Sequence, residues 1–124
     1  MSTLFAVAGF GAIGAASRYS VDTLIERHSD SAFPWATFTI NIAGCLAVGF
    51  IIAALVDRDH APQWLRVGLV MGFCGGFTTF STFAQETLDL VETRELAIAT
   101  ANVTASVLLG VLAVLVGVRA GRLV

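Results

Sequence analysis

Four stretches of this sequence are apolar for long enough to cross a lipid bilayer, and short polar connections separate them. The hydrocarbon core of a bilayer is about 30 Å thick, and about 20 helical residues cross it. The predicted spans cover residues 3–25, 36–56, 65–90 and 96–118. The sequence therefore predicts an all-α membrane protein, with the whole chain, 1–124, forming a single four-helix transmembrane domain.

The composition supports this fold class and excludes several functions. Only 13% of the residues are charged, against about 25% in a soluble domain. All seven basic residues are arginines and no basic run occurs, so we expect no nucleic-acid partner. Cys45 and Cys74 lie inside apolar segments, which favours small buried side chains over a disulfide or a metal site. Nothing in the sequence predicts an enzyme.

The apolar run at residues 4–16 has the length of a signal peptide but not its charge pattern. A signal peptide carries positive charge before its apolar region. Here Arg18 follows the run. We therefore interpret the segment as the start of the first span.

The arginines give the chain almost no preferred orientation in the membrane. Four spans place both termini and the 57–64 connection on one face, together with Arg58, Arg66, Arg119 and Arg122. Toward the other face lie Arg18, Arg27 and Arg94. Either a small bias suffices to orient the chain, or the chain inserts both ways and forms an antiparallel pair. Since four helices enclose little volume, we expect a homo-oligomer.

Several polar side chains fall inside the predicted spans, where they are costly and raise a functional question. Asn41 lies one turn after Thr37 in the second span, and Asn102 and Ser106 share a face of the fourth. Asn41 could be a pathway residue or merely an interhelical hydrogen-bonding group. Glu86, late in the third span, needs a partner or water.

A second polar pattern occupies the first span, where charged residues recur every four positions as Arg18, Asp22 and Glu26. This spacing favours an ion-pair ladder along one side of the helix. Arg18 is also the cation closest to the entrance of a possible pore.

Residues 72–83 read G-F-C-G-G-F-T-T-F-S-T-F, which is a poor interior for a membrane helix. Non-helical backbone is tolerated at this depth only where protein buries it or water reaches it. A break near Gly75 and Gly76 would present carbonyl groups suited to a cation and N–H groups suited to an anion. Phe80 and Phe83 face the same way and could offer electropositive ring edges to an anion.

The same stretch, followed by Glu86, resembles the central signature of the Fluc (CrcB) fluoride channels. Two other segments are similar to that family: T-F-T-I-N, ending at Asn41, and G-A-I-G-A-A-S-R-Y, ending at Tyr19. The resemblance covers the length of the chain, the number of spans and the order of the motifs. It implies a fluoride-selective passive channel that exports cytoplasmic fluoride, and a multi-pass protein of the cell inner membrane or plasma membrane.

The family resemblance also implies an assembly and particular site residues. The expected assembly is an antiparallel, dual-topology homodimer in the lipid bilayer, with a broken third helix and two fluoride pathways. Phe80, Phe83 and Asn41 match family pathway positions. Backbone carbonyl groups of Gly75 and Thr78 match those that hold a structural sodium ion (Na+) at the dimer interface.

The chain departs from the family pattern in the fourth span. Asn102 stands where many members have a tyrosine, and Gly110 replaces a serine, whereas Ser106 is retained. Fluoride is strongly hydrated, so a pore has to replace its water with hydrogen-bond donors. The predicted pathway consists of Asn41, Phe80, Phe83, Ser81, Thr82, Ser106, Thr37 and Arg18.

Two other functions have to be weighed against a fluoride channel. A proton-coupled exporter of small cations, of the small multidrug resistance type, also has four spans and dual topology. That mechanism would require a carboxylate deep in the first span, which is uncharged before Arg18. A purely structural subunit of a larger complex would leave the aromatic-flanked break unexplained.

Overall fold

A computed structural model describes residues 2–57 and 61–124 of the chain. The described residues form helices and short connections, and four of the helical segments are long and apolar enough to cross a membrane. The prediction of an all-α protein with four candidate spans is confirmed. Arg58, one of the arginines used to judge orientation, lies outside the described residues.

Five helices make up the four spans. Helix α1 covers Thr3–Glu26, and α2 covers Trp35–Val56 with a π-helical end at Ile52–Val56. The third span, Gln63–Glu92, contains α3 at residues 63–77 and α4 at Phe80–Glu92. Helix α5 covers Leu96–Gly121, which extends past the predicted end at residue 118.

Glycines let α1 approach the third span until the two backbones touch. A Cβ atom added at Gly76 would lie 2.6 Å from the Gly11 carbonyl oxygen, and one at Gly72 would lie 2.8 Å from that of Val7. Small residues at this spacing allow such close contact between helices in lipid. The glycine face of the third span is therefore the face that packs against α1.

Helices α2 and α5 form a second tightly packed pair. A Cβ atom at Gly49 would collide with the Val114 carbonyl oxygen, and one at Gly117 with the Leu46 carbonyl oxygen. Gly110, by contrast, has room, since its added Cβ would lie 3.5 Å from the Cys45 sulfur. The two helix pairs fix α1, α2, α3 and α5, and α4 is attached to this frame.

Few apolar contacts hold α4 in place. Leu90 is the buried residue of this helix. At its C-terminal end, Arg94 has a positive φ of 64° and the Glu95 N–H donates to the Leu90 carbonyl at 2.8 Å. This left-handed turn ends the helix and reverses the chain into α5.

We expect Gly14→Ala to destabilise the fold by about 1–3 kcal/mol, the usual cost of overpacking a tight contact. The new methyl group would collide with the Phe73 carbonyl oxygen of α3. Gly9→Ala is the matched control, because a Cβ at Gly9 meets no atom within 4 Å. Thermal unfolding in detergent measures both variants. Equal melting temperatures would contradict the packing between α1 and the third span.

Candidate functional site

The backbone of the third span is extended at two consecutive threonines. Thr78 has φ −85° and ψ 162°, and Thr79 has φ −150° and ψ 115°. Helix α3 ends before them at Phe77, and α4 begins after them at Phe80. Peptide groups in extended backbone lose their partners within the helix, so other groups have to satisfy them.

Asn41 of α2 supplies these partners to Thr79. Its Nδ2 donates to the Thr79 carbonyl oxygen at 3.0 Å, and its Oδ1 accepts from the Thr79 N–H at 2.8 Å. Thr79 is only 8% exposed. One carboxamide thus satisfies both backbone groups of this residue, as a neighbouring strand would.

Thr79 also caps the N-terminus of α4. Its Oγ1 accepts from the Thr82 N–H at 3.2 Å and donates to the Thr82 Oγ1 at 3.0 Å. The Ser81 Oγ lies 3.4 Å from the Thr79 Oγ1. Because Thr82 accepts in this arrangement, its own hydroxyl hydrogen remains available to a ligand.

Two phenyl rings follow the interruption. The ring centroids of Phe80 and Phe83 are 5.7 Å apart with an interplanar angle of 43°. Phe80 is 79% exposed in the single chain, whereas Phe83 is half-buried. On the other side of the interruption, Phe73 and Phe77 form a stacked pair.

Arg18 reaches the interruption from α1. Its Nη1 donates to the Thr78 carbonyl oxygen at 3.1 Å. The predicted ion-pair ladder is wrong for Arg18, because no ion pair joins it to Asp22 or Glu26 within the described residues. The C-terminal end of α3 carries a partial negative charge that attracts the guanidinium group.

Glu86 of α4 finds its partner in α2. The Thr37 Oγ1 donates to Glu86 Oε1 at 2.8 Å, and Thr37 is 2% exposed. The second carboxylate oxygen, Oε2, is buried and has no hydrogen-bond partner in the described part of the chain. This contact is a second polar attachment between α2 and α4.

A third set of polar contacts joins α5 to α4. Asn102 is 1% exposed, and its Nδ2 donates to Thr87 Oγ1 at 3.1 Å. Thr87 donates in turn to the Phe83 carbonyl oxygen at 2.7 Å. Ser106 donates to Asn102 Oδ1 at 3.4 Å. Ser106 therefore lies with Asn102 and Thr87 in a cluster separate from Asn41 and Thr79. This cluster is next to the turn that carries Phe83.

The structure brings most of the predicted site residues to two clefts that meet at Thr79. One cleft, of about 360 Å³, is lined by Asn41, Gly75, Thr78 and Phe80. The other, of about 220 Å³, is lined by Arg18, Thr37 and Thr82. The remaining predicted residues, Ser81, Phe83 and Ser106, lie outside the lining of both clefts.

Two residues with central contacts were missed as site residues by the sequence analysis. Thr79 could have been found, since a threonine before an amphipathic run is a common N-cap signal. Thr87 could not, because nothing local to it indicates a bond to Asn102 in the next span.

Comparisons with known sequences cover nearly the whole chain. The family described as "CrcB-like protein, Camphor Resistance (CrcB)" matches residues 5–118. Proteins called fluoride-specific ion channel FluC are similar in Geobacter sulfurreducens, with 42% identity over 98% of each chain, and in Flavobacterium psychrophilum, with 37% over 94% of each. A protein of the same name in Geotalea uraniireducens is 44% identical over 87% of each chain. The chain belongs to the CrcB-like family.

Proposed function

We propose that this multi-pass membrane protein is a passive, fluoride-selective channel that exports fluoride across a bacterial inner membrane. The observation that carries the proposal is the extended backbone at Thr78 and Thr79, held by Asn41 beside the rings of Phe80 and Phe83. Relatives that match the chain over nearly its full length are called fluoride-specific ion channels.

The proposed pathway offers fluoride hydrogen-bond donors without a ring of fixed charges. Asn41 uses one Nδ2 hydrogen for Thr79 and keeps the other. Thr82 keeps its hydroxyl hydrogen, and Ser81, at the start of α4, can turn its hydroxyl hydrogen from Thr79 Oγ1, 3.4 Å away, to the ion. Such donors replace the water around a small anion, yet they bind it weakly enough to let it leave.

The other pathway residues are assigned by position. The edges of the Phe80 and Phe83 rings are electropositive and can turn toward an anion. Arg18 and Thr37 line the cleft on the α1 side of Thr79, where the guanidinium group of Arg18 attracts the ion and Thr37, whose hydroxyl hydrogen is donated to Glu86, shapes the wall. Ser106 is linked to Thr87 through Asn102, and we assign it to the far part of the pathway.

A structural sodium ion fits the carbonyl groups of Gly75 and Thr78. The Thr79 N–H, which would bond the Gly75 carbonyl in a continuous helix, donates to Asn41 instead. Gly75 is exposed, and the Thr78 carbonyl oxygen, which accepts one hydrogen bond from Arg18, keeps its second lone pair for an ion. Carbonyl oxygens are hard ligands suited to Na+, and two chains would supply two pairs of them. Bound there, the ion would join the chains and neutralise the negative ends of both α3 helices.

We further propose that two chains pair antiparallel with the broken third spans in contact. The 360 Å³ cleft is open on one side, and Phe80 beside it is 79% exposed. Met71 on the same span is 69% exposed. A partner chain would cover these side chains and complete the cleft. The near-equal distribution of arginines between the two faces permits both orientations.

For the orientation, we expect a C-terminal tag to be accessible from both sides of the native membrane in comparable amounts. Two lysines added at one end should bias insertion and abolish conduction. Co-expression of a copy with the opposite bias should restore it, because the pair needs both orientations. A single orientation in native membranes would refute the antiparallel pair.

The proposed activity is tested by ion efflux from liposomes that contain the purified protein. We expect fluoride to leave the liposomes down its own gradient while chloride stays inside. An applied proton gradient should not change the rate of fluoride efflux. A chloride flux equal to that of fluoride, or strict dependence on a proton gradient, would overturn the proposal. The second of these outcomes would favour a coupled exporter.

A further inference from the structure

Asn102 is a buried carboxamide whose contacts reach two parts of the proposed pathway. Its Nδ2 bonds Thr87 Oγ1 at 3.1 Å, and its Oδ1 accepts from Ser106 at 3.4 Å. The side chain is 1% exposed. It is therefore placed to hold its neighbours but has almost no surface with which to touch an ion.

The hydrogen bonds in this cluster are all donated in the same direction, from Ser106 toward Phe83. Ser106 donates to Asn102, Asn102 donates to Thr87, and Thr87 donates to the Phe83 carbonyl oxygen at 2.7 Å. Because the amide hydrogen occupies the oxygen of Thr87, the hydroxyl hydrogen of Thr87 has to point elsewhere. The Phe83 carbonyl group receives it. Asn102 thus contacts the same hydroxyl group that bonds the turn of Phe83.

This contact matters because α4 depends on polar attachments. Leu90 is its buried residue, so apolar packing does little to fix the helix. Thr79 is held by Asn41 and Glu86 by Thr37, both from α2, whereas Thr87 is held from α5. The Thr87 hydroxyl group in turn bonds the carbonyl group of Phe83, in the turn that carries the ring.

We propose that Asn102 is a positioning residue of the fluoride pathway. Its amide nitrogen holds Thr87 and thereby the ring of Phe83, and its amide oxygen holds the hydroxyl group of Ser106 between passages of the ion. This inference rests on the proposed fluoride conduction. At 3.4 Å the bond from Ser106 is long for a hydroxyl donor. An anion near Ser106 can therefore take this hydrogen at little cost, while the shorter bonds at Thr87 keep Phe83 in place.

Thr87→Val is the central test, because valine keeps the shape of threonine and removes its hydroxyl group. We expect fluoride efflux per folded particle to fall about tenfold, because the free energy of one buried hydrogen bond corresponds to about a factor of ten in rate. Thr87→Ser, which restores the hydroxyl group, should keep the wild-type rate. Thr100→Val is the matched control, because the Thr100 hydroxyl bonds the Leu96 carbonyl within its own helix.

The double variant separates positioning from general stability. We expect Asn102→Leu to lower efflux about as much as Thr87→Val does, and the double variant to lower it no further, because both changes break one contact. Folded particles are counted by size exclusion, so that a loss of folded protein does not register as a loss of conduction. A contact that serves stability alone would change the yield and leave efflux per particle unchanged.

Each outcome of the test bears on one claim. Absence of fluoride efflux from the wild-type protein would overturn the proposed function itself. Wild-type efflux together with a normal rate per particle in Thr87→Val would overturn the positioning role alone. Multiplied losses in the double variant, or a Thr87→Val protein that does not fold, would equally contradict it. If Asn102→Leu alone does not fold, the comparison of Thr87→Val with Thr87→Ser decides.

Discussion

Replacement of Asn41 by leucine is expected to abolish fluoride conduction and to lower the yield of folded protein sharply. Leucine is similar in size to asparagine but cannot bond the backbone of Thr79, which Asn41 contacts at 3.0 Å and 2.8 Å. Each buried backbone group left without a partner costs about 1–3 kcal/mol. We therefore expect a destabilisation of about 2–6 kcal/mol for the two groups together.

Thr39→Val is the control for this variant, because Thr39 is an exposed polar residue of the same helix. It should fold and conduct as the wild type does. Size exclusion and fluoride efflux measure both variants. A folded Asn41→Leu protein with a normal fluoride flux would show that Asn41 neither supports the extended backbone nor contacts the ion.

Phe80→Ile and Phe83→Ile are expected to reduce fluoride conduction severely while the protein still assembles. Isoleucine keeps an apolar side chain of somewhat smaller volume but removes the electropositive ring edge. The change in packing should cost only about 1–3 kcal/mol of stability. Because Phe80 is 79% exposed in the single chain, its replacement should affect folding of the chain least.

Phe73→Ile serves as the control for the two ring variants. Phe73 stacks on Phe77 before the interruption and outside the Phe80–Phe83 pair. Its replacement should change stability to a similar extent and leave fluoride flux per folded particle near normal. Normal flux in both Phe80→Ile and Phe83→Ile, with assembly verified by size exclusion, would exclude the rings from the pathway.

The sequence could predict the spans because each apolar run is long and carries few charges. It could also indicate where helical backbone weakens, since Gly75 and Gly76 are poor helix formers. The extended residues are Thr78 and Thr79, further along the chain. Their position follows from Asn41, which hydrogen-bonds the backbone of Thr79, 38 residues away in the sequence. No local pattern contains that contact.

The partners of the charged residues were harder to predict than their positions. The four-residue spacing favoured a ladder between Arg18 and Asp22, yet Arg18 bonds the Thr78 carbonyl group 60 residues away. Local spacing describes an isolated helix and takes no account of a neighbouring helix end. In the same way, Asn102 could be placed inside a span from the sequence, but its bond to Thr87 depends on how α4 meets α5.

The central claim, passive and selective conduction of fluoride, is tested most directly by the reversal potential in a planar bilayer. The protein is inserted with fluoride salt on one side, chloride salt of the same cation on the other, and equal pH on both. The account predicts a steady current that reverses at a strongly fluoride-selective potential and does not shift when a pH gradient is applied. A reversal potential near zero, or one that follows the proton gradient, would contradict it.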